Sequence, residues 1–249
     1  LFACVGIVYE LNQNAVRISR VQIFGADQSL ADVAISQMRG SYFGVVPRNS
    51  TFFLPESDIR AALFAADSDI AAVSIFRTGL SSVSIKVDTR VPIARWCGFA
   101  PAAAENASTT PAEPPTPACY LFDASGFVYA TASDAIQPIN AFSVYEPLSG
   151  RTASSSPLGV TLPNVGKLPA AFDFARQLGT FGSPVMTIVF RADEIDDYLK
   201  SGTRITYVLG NEQNAFTALT SASGNLNLAD GSIEYVDLRF DGKVYLKKK

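Results

Sequence analysis

Between Ala100 and Pro117 the chain runs through proline, alanine, serine and threonine and offers no large apolar side chain. Such a stretch cannot bury enough surface to offset the entropy lost in ordering it. Residues 100–118 therefore read as a linker, and any folded structure must form before it and after it as two units. The flanking sequence can support both. Of the 249 residues 48% are hydrophobic and 17% charged, a balance that suits packed cores.

Before the linker, Val16, Ile18, Val21 and Ile23 nearly alternate over residues 16–24, which predicts a strand ending at Gly25. Ser29 stands as an N-cap with Asp32 at the capping-box position, and Leu30, Val33, Ala34, Met38 and Tyr42 follow at helical spacing. Pro55 opens a second helix, in which Ile59, Leu63, Ala66 and Ile70 share one face. Val73 and Ile75 begin a strand and Thr78-Gly79 supplies a turn. Val83, Ile85 and Val87 then alternate with Ser84, Lys86 and Asp88 in a half-buried strand. Residues 16–99 thus predict the order strand, helix, helix, strand, strand, with two helices on one face of a small sheet.

After the linker, over residues 119–249, Asp123-Ala-Ser-Gly126 marks a hairpin turn between apolar runs. A short strand is expected near residues 141–145. Leu168, Ala171, Phe172, Ala175 and Leu178 predict a helix with Pro169 near its start and Gly179 at its end. Strands follow at 185–190 and 203–209, and a helix opens near Asn211. Residues 232–246 read as one long closing strand kinked at Asp241-Gly242. The fold class is α+β throughout, the second domain carrying a mostly antiparallel sheet.

Residues 1–15 open with the apolar run Leu1-Phe-Ala-Cys-Val-Gly-Ile-Val-Tyr9. A spanning helix needs roughly 20 such residues, so the run reads as the remnant of an N-terminal transmembrane anchor.

The residue inventory excludes most site chemistry. There is no histidine, which removes the commonest general base, the Ser-His-Asp and Cys-His arrangements and most zinc sites. Three cysteines cannot build a cysteine-rich metal cluster, and no cofactor is expected. Cys97 and Cys119 bracket the linker and read equally as a disulfide and as two half-buried thiols, because spacing does not fix Cα distances. A net charge of −3 argues against nucleic acid, and Lys247 to Lys249 read as a solvated tail. Asp193-Glu-Ile-Asp-Asp197 offers the paired carboxylates of a glycoside hydrolase, but it reads better as solvated charge on a turn or short helix. Gly40 to Gly44 lacks the lysine and the preceding strand of a phosphate loop.

Four stretches carry a likeness. Val87-Asp-Thr-Arg-Val-Pro-Ile-Ala-Arg-Trp96, with Arg77 before the turn, resembles the end of the POTRA domain in the FtsQ/DivIB family of bacterial cell-division proteins. Leu121-Phe-Asp-Ala-Ser-Gly-Phe-Val128 is similar to the first hairpin of that family's second domain. Tyr207-Val-Leu-Gly210 with Phe216-Thr-Ala-Leu219 resembles its strand-to-helix passage, and Tyr235-Val-Asp-Leu-Arg239 with Lys243-Val-Tyr245 its last strand. The resemblance spans nearly the whole chain. It implies a non-enzymatic, single-pass protein of the bacterial inner membrane whose bulk is extracytoplasmic and lies at the division septum. It also implies divisome partners, among them small membrane-anchored proteins of the FtsB and FtsL kind. The other readings are a POTRA-bearing adaptor of outer-membrane assembly or secretion, and a periplasmic wall-modifying enzyme.

A scaffold needs exposed backbone and a few anchoring side chains. The closing strand is the natural candidate, since a strand at a sheet edge can accept a partner by β-augmentation. Tyr235, Asp237, Arg239, Phe240, Val244 and Tyr245 are its expected partner-binding residues. The competing reading packs Tyr235 and Phe240 on the core. Trp96, the single tryptophan, is expected at the seam between the domains.

Overall fold

The computed structural model describes residues 6, 9–98, 119–148 and 156–249. The chain divides after Arg90 into two compact units. The expected linker of residues 100–118 falls wholly outside the described residues.

In the first unit, β1 (Arg20–Phe24) is followed by α1 (Leu30–Gln37), α2 (Glu56–Ala66), β4 (Ile70–Arg77) and β5 (Ser82–Thr89). A two-stranded hairpin, β2 (Ser41–Tyr42) and β3 (Val46–Pro47), stands between the helices. The three main strands lie in the order β1-β5-β4, with β1 parallel to β5 and β4 antiparallel to it. The last strand is therefore central. Its alternation explains why: Val83, Ile85 and Val87 are buried, and they meet Ile59 and Leu63 of α2 and Ala34 of α1 in one core. Gly25, at the end of β1, has φ +86°, and a Cβ there would lie 2.1 Å from the Val87 carbonyl oxygen. Only glycine fits.

Local signals shifted some boundaries. Residues 14–16 form a 3-10 turn rather than the start of β1, because Asn12, Gln13 and Asn14 interrupt the apolar run. The Ser29 hydroxyl makes no cap bond; Asp27 Oδ1 instead accepts from the Ser29 N–H. Tyr42, expected on α1, lies on β2, because Gly40 at φ +84° turns the chain out of the helix.

Of the expected anchor remnant, residues 1–15, positions 1–5, 7 and 8 lie outside the described residues. Among the described residues no helix is long and apolar enough to cross a membrane. The expected single-pass inner-membrane localisation is therefore corrected: it is not supported by any helix of the described residues.

The second unit contains a nine-stranded mixed sheet. In chain order its strands are β6 (Ala94–Trp96), β7 (Tyr120–Phe122), β8 (Val128–Thr131), β9 (Ser143–Tyr145), β10 (Val185–Phe190), β11 (Glu194–Leu199), β12 (Arg204–Val208), β13 (Ile233–Asp237) and β14 (Tyr245–Lys248). They lie side by side as β14-β13-β12-β11-β10-β9-β6-β7-β8. Five of the eight pairings are antiparallel, and β9–β10, β6–β9 and β12–β13 are parallel. Helices α3 (Leu168–Leu178) and α4 (Glu212–Ala222) touch each other and pack on β10 and β12.

Residues 91–98, assigned by sequence to the first domain, thus belong to the second. The reason is pairing: Ala94, Arg95 and Trp96 bond to β7 on one side and to β9 on the other. Trp96 is buried in the second unit's core, where its indole N–H donates to the Glu146 carbonyl at 3.0 Å. Phe172 meets Phe142 edge-on at 4.9 Å between ring centroids and Phe122 at 6.3 Å. Next to Trp96, Cys97 and Cys119 form a disulfide.

Candidate binding edge

Residues 232–246 do not form one strand. Asp241-Gly242, read as a kink, belongs to a reversal: β13 runs to Asp237 and β14 returns antiparallel from Tyr245. Gly242 takes φ +66°, the left-handed conformation that such a turn requires. The consequence for binding is large. Strand β13 is flanked by β12 and β14, so its main chain is occupied on both sides. The margin of the sheet is β14, whose four residues are all exposed.

The register shows which groups of β14 remain open. Val236 faces Leu246 and Asp237 faces Tyr245, and the Lys249 N–H donates inward to the Ser232 carbonyl at 3.0 Å. Alternation along an antiparallel strand then turns the N–H groups of Leu246 and Lys248 outward. The lysines read as a solvated tail are part of this edge. Lys247 pairs with Glu234 across the hairpin at 2.8 Å, which raises its pKa. Lysines along an edge discourage pairing with another copy and favour an acidic partner.

The six expected partner-binding residues divide by their surroundings. Tyr235 is half-buried on β13 with the Arg204 guanidinium 5.6 Å from its ring centroid. Asp237 is buried, and its Oδ1 and Oδ2 accept from Arg239 Nε and Nη2 at 3.0 and 2.6 Å. Those bonds hold its carboxyl below the usual aspartate range. Arg239 Nη1 also reaches Glu194 Oε1 at 2.8 Å, so one guanidinium ties the end of β13 to β11. Val244 packs half-buried against the core. Phe240 and Tyr245 face solvent, 52% and 50% exposed, with their rings edge-on at 5.3 Å; Arg239 is exposed too, but its guanidinium is held by Asp237 and Glu194. The packing reading therefore holds for Tyr235 in part and fails for Phe240.

Thus Tyr235, Asp237, Arg239 and Val244 support the hairpin, while Phe240, Tyr245 and Leu246 present a surface. The sequence carries the signal for the hairpin and its edge, though not for this division. An Asp-Gly pair between two apolar alternations is a hairpin signature, and a lysine-rich run after it is what an edge strand carries.

The acid cluster is a solvated turn only at its first residue, Asp193, which is exposed on a bend. Residues 194–199 form β11, in the interior of the sheet, and not a solvated turn or helix start. Ile195, Asp197 and Leu199 share the face that packs on the core, so Asp197 enters with them. Asp196, on the opposite face and 2% exposed, accepts from Arg191 Nε at 2.7 Å and from the Thr206 hydroxyl at 2.6 Å. Asp197 is completely buried. Its pKa is raised well above the aspartate value, chiefly by burial and further by Asp196 and Glu212. Neither its oxygens nor the Tyr207 hydroxyl has a partner of normal hydrogen-bond geometry among the described residues, though the phenol lies close enough to temper the shift. Enclosed in this way, the carboxylates do not form the open acid–base pair that glycoside hydrolysis needs. Among the described residues no group of three or more acidic or cysteine side chains could hold a metal ion.

No protein-family model matches the chain, and no curated protein matches it.

Proposed function

We propose that this chain is a non-enzymatic protein-binding scaffold of the FtsQ/DivIB kind, which takes an extended segment of a division partner onto β14. The outer main chain of that strand, unpaired among the described residues, carries the proposal. A partner strand gains ladder hydrogen bonds there, while Phe240 and Tyr245 supply an aromatic anchor and the neighbouring lysines select acidic flanks. The first unit supports the same reading. Its main elements follow the strand-helix-helix-strand-strand order that the resemblance to a POTRA domain implies. The partners proposed are small coiled-coil division proteins of the FtsB and FtsL kind.

Leu246→Pro is the decisive substitution. Its N–H points outward, so proline removes a donor that the hairpin does not use, and edge strands tolerate such a proline. The variant is expected to keep its circular dichroism spectrum and to bind soluble segments of FtsB- and FtsL-type partners about tenfold more weakly. Titration calorimetry with wild type and variant checks this. Equal affinities for the two would remove β14 as the binding edge, and absence of any binding by wild type would remove the division reading.

A further inference from the structure

The hairpin of β2 and β3 in the first unit is built around an unusual display. Its tip is closed by a bond from the Val45 N–H to the Tyr42 carbonyl at 3.1 Å, with Phe43 and Gly44 as the central residues. Both have positive φ, 52° and 74°. Turns of this kind take asparagine, aspartate or glycine at such positions. Phe43 is the one non-glycine residue with positive φ among the described residues, and it is fully exposed, at 101%. A bulky side chain in that conformation is a genuine outlier, and no packing contact rewards it. Outliers of this sort point to function.

The surroundings say what the tip meets. Tyr42, Phe43, Val46, Phe53 and Leu54 line an open apolar hollow of about 380 Å³, and Phe52 and Val45 beside it are also exposed. Asn12, which follows the apolar run of residues 1–9 in sequence, donates from its Nδ2 to the Val45 carbonyl at 3.3 Å. Charge is one-sided. Residues 33–55 contain Arg39 and Arg48 and no acid. Arg48 lies over the Tyr42 ring and pairs with Asp58. Arg17 and Arg39 line a second hollow of about 330 Å³ at the base of the hairpin, next to Gly40, and neither has an ion pair among the described residues.

We infer that this face docks on the surface of a bilayer containing anionic lipids, with Phe43, Phe52 and Phe53 entering the boundary between headgroups and acyl chains and Arg17 and Arg39 meeting lipid phosphates. A protruding aromatic tip suits a deformable apolar layer, and aromatic rings with a cationic rim are the composition of interfacial contacts. The contact is peripheral and requires no spanning helix. It lies in the first unit and is independent of the partner edge in the second.

Co-sedimentation of the 249-residue chain with vesicles tests it. Wild type is expected to pellet with vesicles of phosphatidylcholine and phosphatidylglycerol, and several-fold less with phosphatidylcholine alone. The apolar residues 1–9 are common to wild type and the variants, so the comparison with the variants decides. Phe43→Asn is expected to weaken binding about tenfold without lowering the thermal midpoint, because asparagine accepts positive φ readily. Arg17→Gln with Arg39→Gln is expected to reduce the preference for anionic vesicles by about fivefold per arginine, and added salt should do the same. Phe43→Asn binding as tightly as wild type would overturn the proposal. So would wild type staying in the supernatant with both vesicle types, which is the result expected if the face instead receives a protein.

Discussion

Reduction of the Cys97–Cys119 bond is expected to destabilise the second unit by about 3 kcal/mol, the largest single loss that any covalent or side-chain change away from the central core should produce. The two cysteines are 22 residues apart and lie opposite each other, one step beyond the Trp96–Tyr120 pair of β6 and β7. Closing a loop of that length removes conformations from the unfolded chain. The bond therefore acts mainly by raising the free energy of the unfolded state. It also keeps β6 in register with β7, and β6 is the strand through which β7 and β8 join β9 and the rest of the sheet. For a unit of this size the loss corresponds to roughly 6–12 °C in thermal midpoint. Calorimetry of wild type with and without dithiothreitol, beside Cys97→Ala/Cys119→Ala, measures it. The reduced wild type and the double variant should agree, and the variant should not respond to reductant. A midpoint unchanged by reductant, or no Cys97–Cys119 peptide pair in non-reducing mass spectrometry, would refute the stabilising bond. Such a bond persists only in oxidising surroundings, so the figure applies to protein produced under those conditions.

The parts of the fold that were legible in the sequence are those in which one local signal decides. The helix at residues 168–178 has an apolar stripe, an early proline and a closing glycine, and it forms over those residues. The strand at 185–190 is a short run that is mostly β-branched or aromatic, and it appears with the same ends. Strand β5 alternates cleanly and is central in its sheet. The failures occur where a long-range partner decides. Nothing local in Ala94-Arg-Trp96 says that β7 and β9 will claim it, and that pairing moves the domain boundary to Arg90. The edge is β14 and not β13 because Asp241-Gly242 belongs to a reversal rather than to a kink. A single strand and a hairpin place the same residues on the same two faces, but they leave opposite strands exposed. Asp196 and Asp197 were missed for a third reason. Charge composition predicts exposure, and the strand alternation that carries Asp197 inward with Ile195 and Leu199 overrode it. The division of labour between Asp237 and Arg239 as supports and Phe240 and Tyr245 as surface needed the three-dimensional contacts.

Removing the buried acid should make the protein more stable at neutral pH and flatten its response to alkali. Asp197 lies on β11 against Tyr207 of β12, whose ring meets Phe174 of α3 at 4.4 Å between centroids. The charged and titratable groups that act on Asp197 are Asp196 on its own strand, Tyr207, and Glu212 at the start of α4. None is cationic. Burial, with Asp196 and Glu212, holds its folded pKa well above its unfolded value against the opposing effect of the Tyr207 phenol, so folding takes up a proton. The sign follows. The group's contribution to stability is complete below the unfolded value, about 3.9, and is lost as pH rises through the folded value. Glu146 and Asp69, also raised by burial, act in the same direction. Asp237 acts oppositely, losing stability as pH falls through its lowered folded value, and so only in acid. Comparing wild type with a variant lacking Asp197 isolates its share. Leucine has nearly the shape of aspartate, and Tyr207→Phe removes the hydroxyl that would otherwise be left alone. Replacing both members of a poorly bonded buried polar pair by apolar groups of the same shape is neutral to stabilising, and relief of the unpaired atoms is worth about 1–3 kcal/mol. Asp197→Leu/Tyr207→Phe is therefore expected to exceed wild type by that amount near neutral pH. The advantage should shrink toward pH 4 and grow as pH rises. Urea denaturation across that range gives both curves. A double variant less stable than wild type at every pH would mean that the pair is properly bonded and contributes to the fold. In that case Asp197 would be a structural anchor of the sheet rather than a cost that it carries.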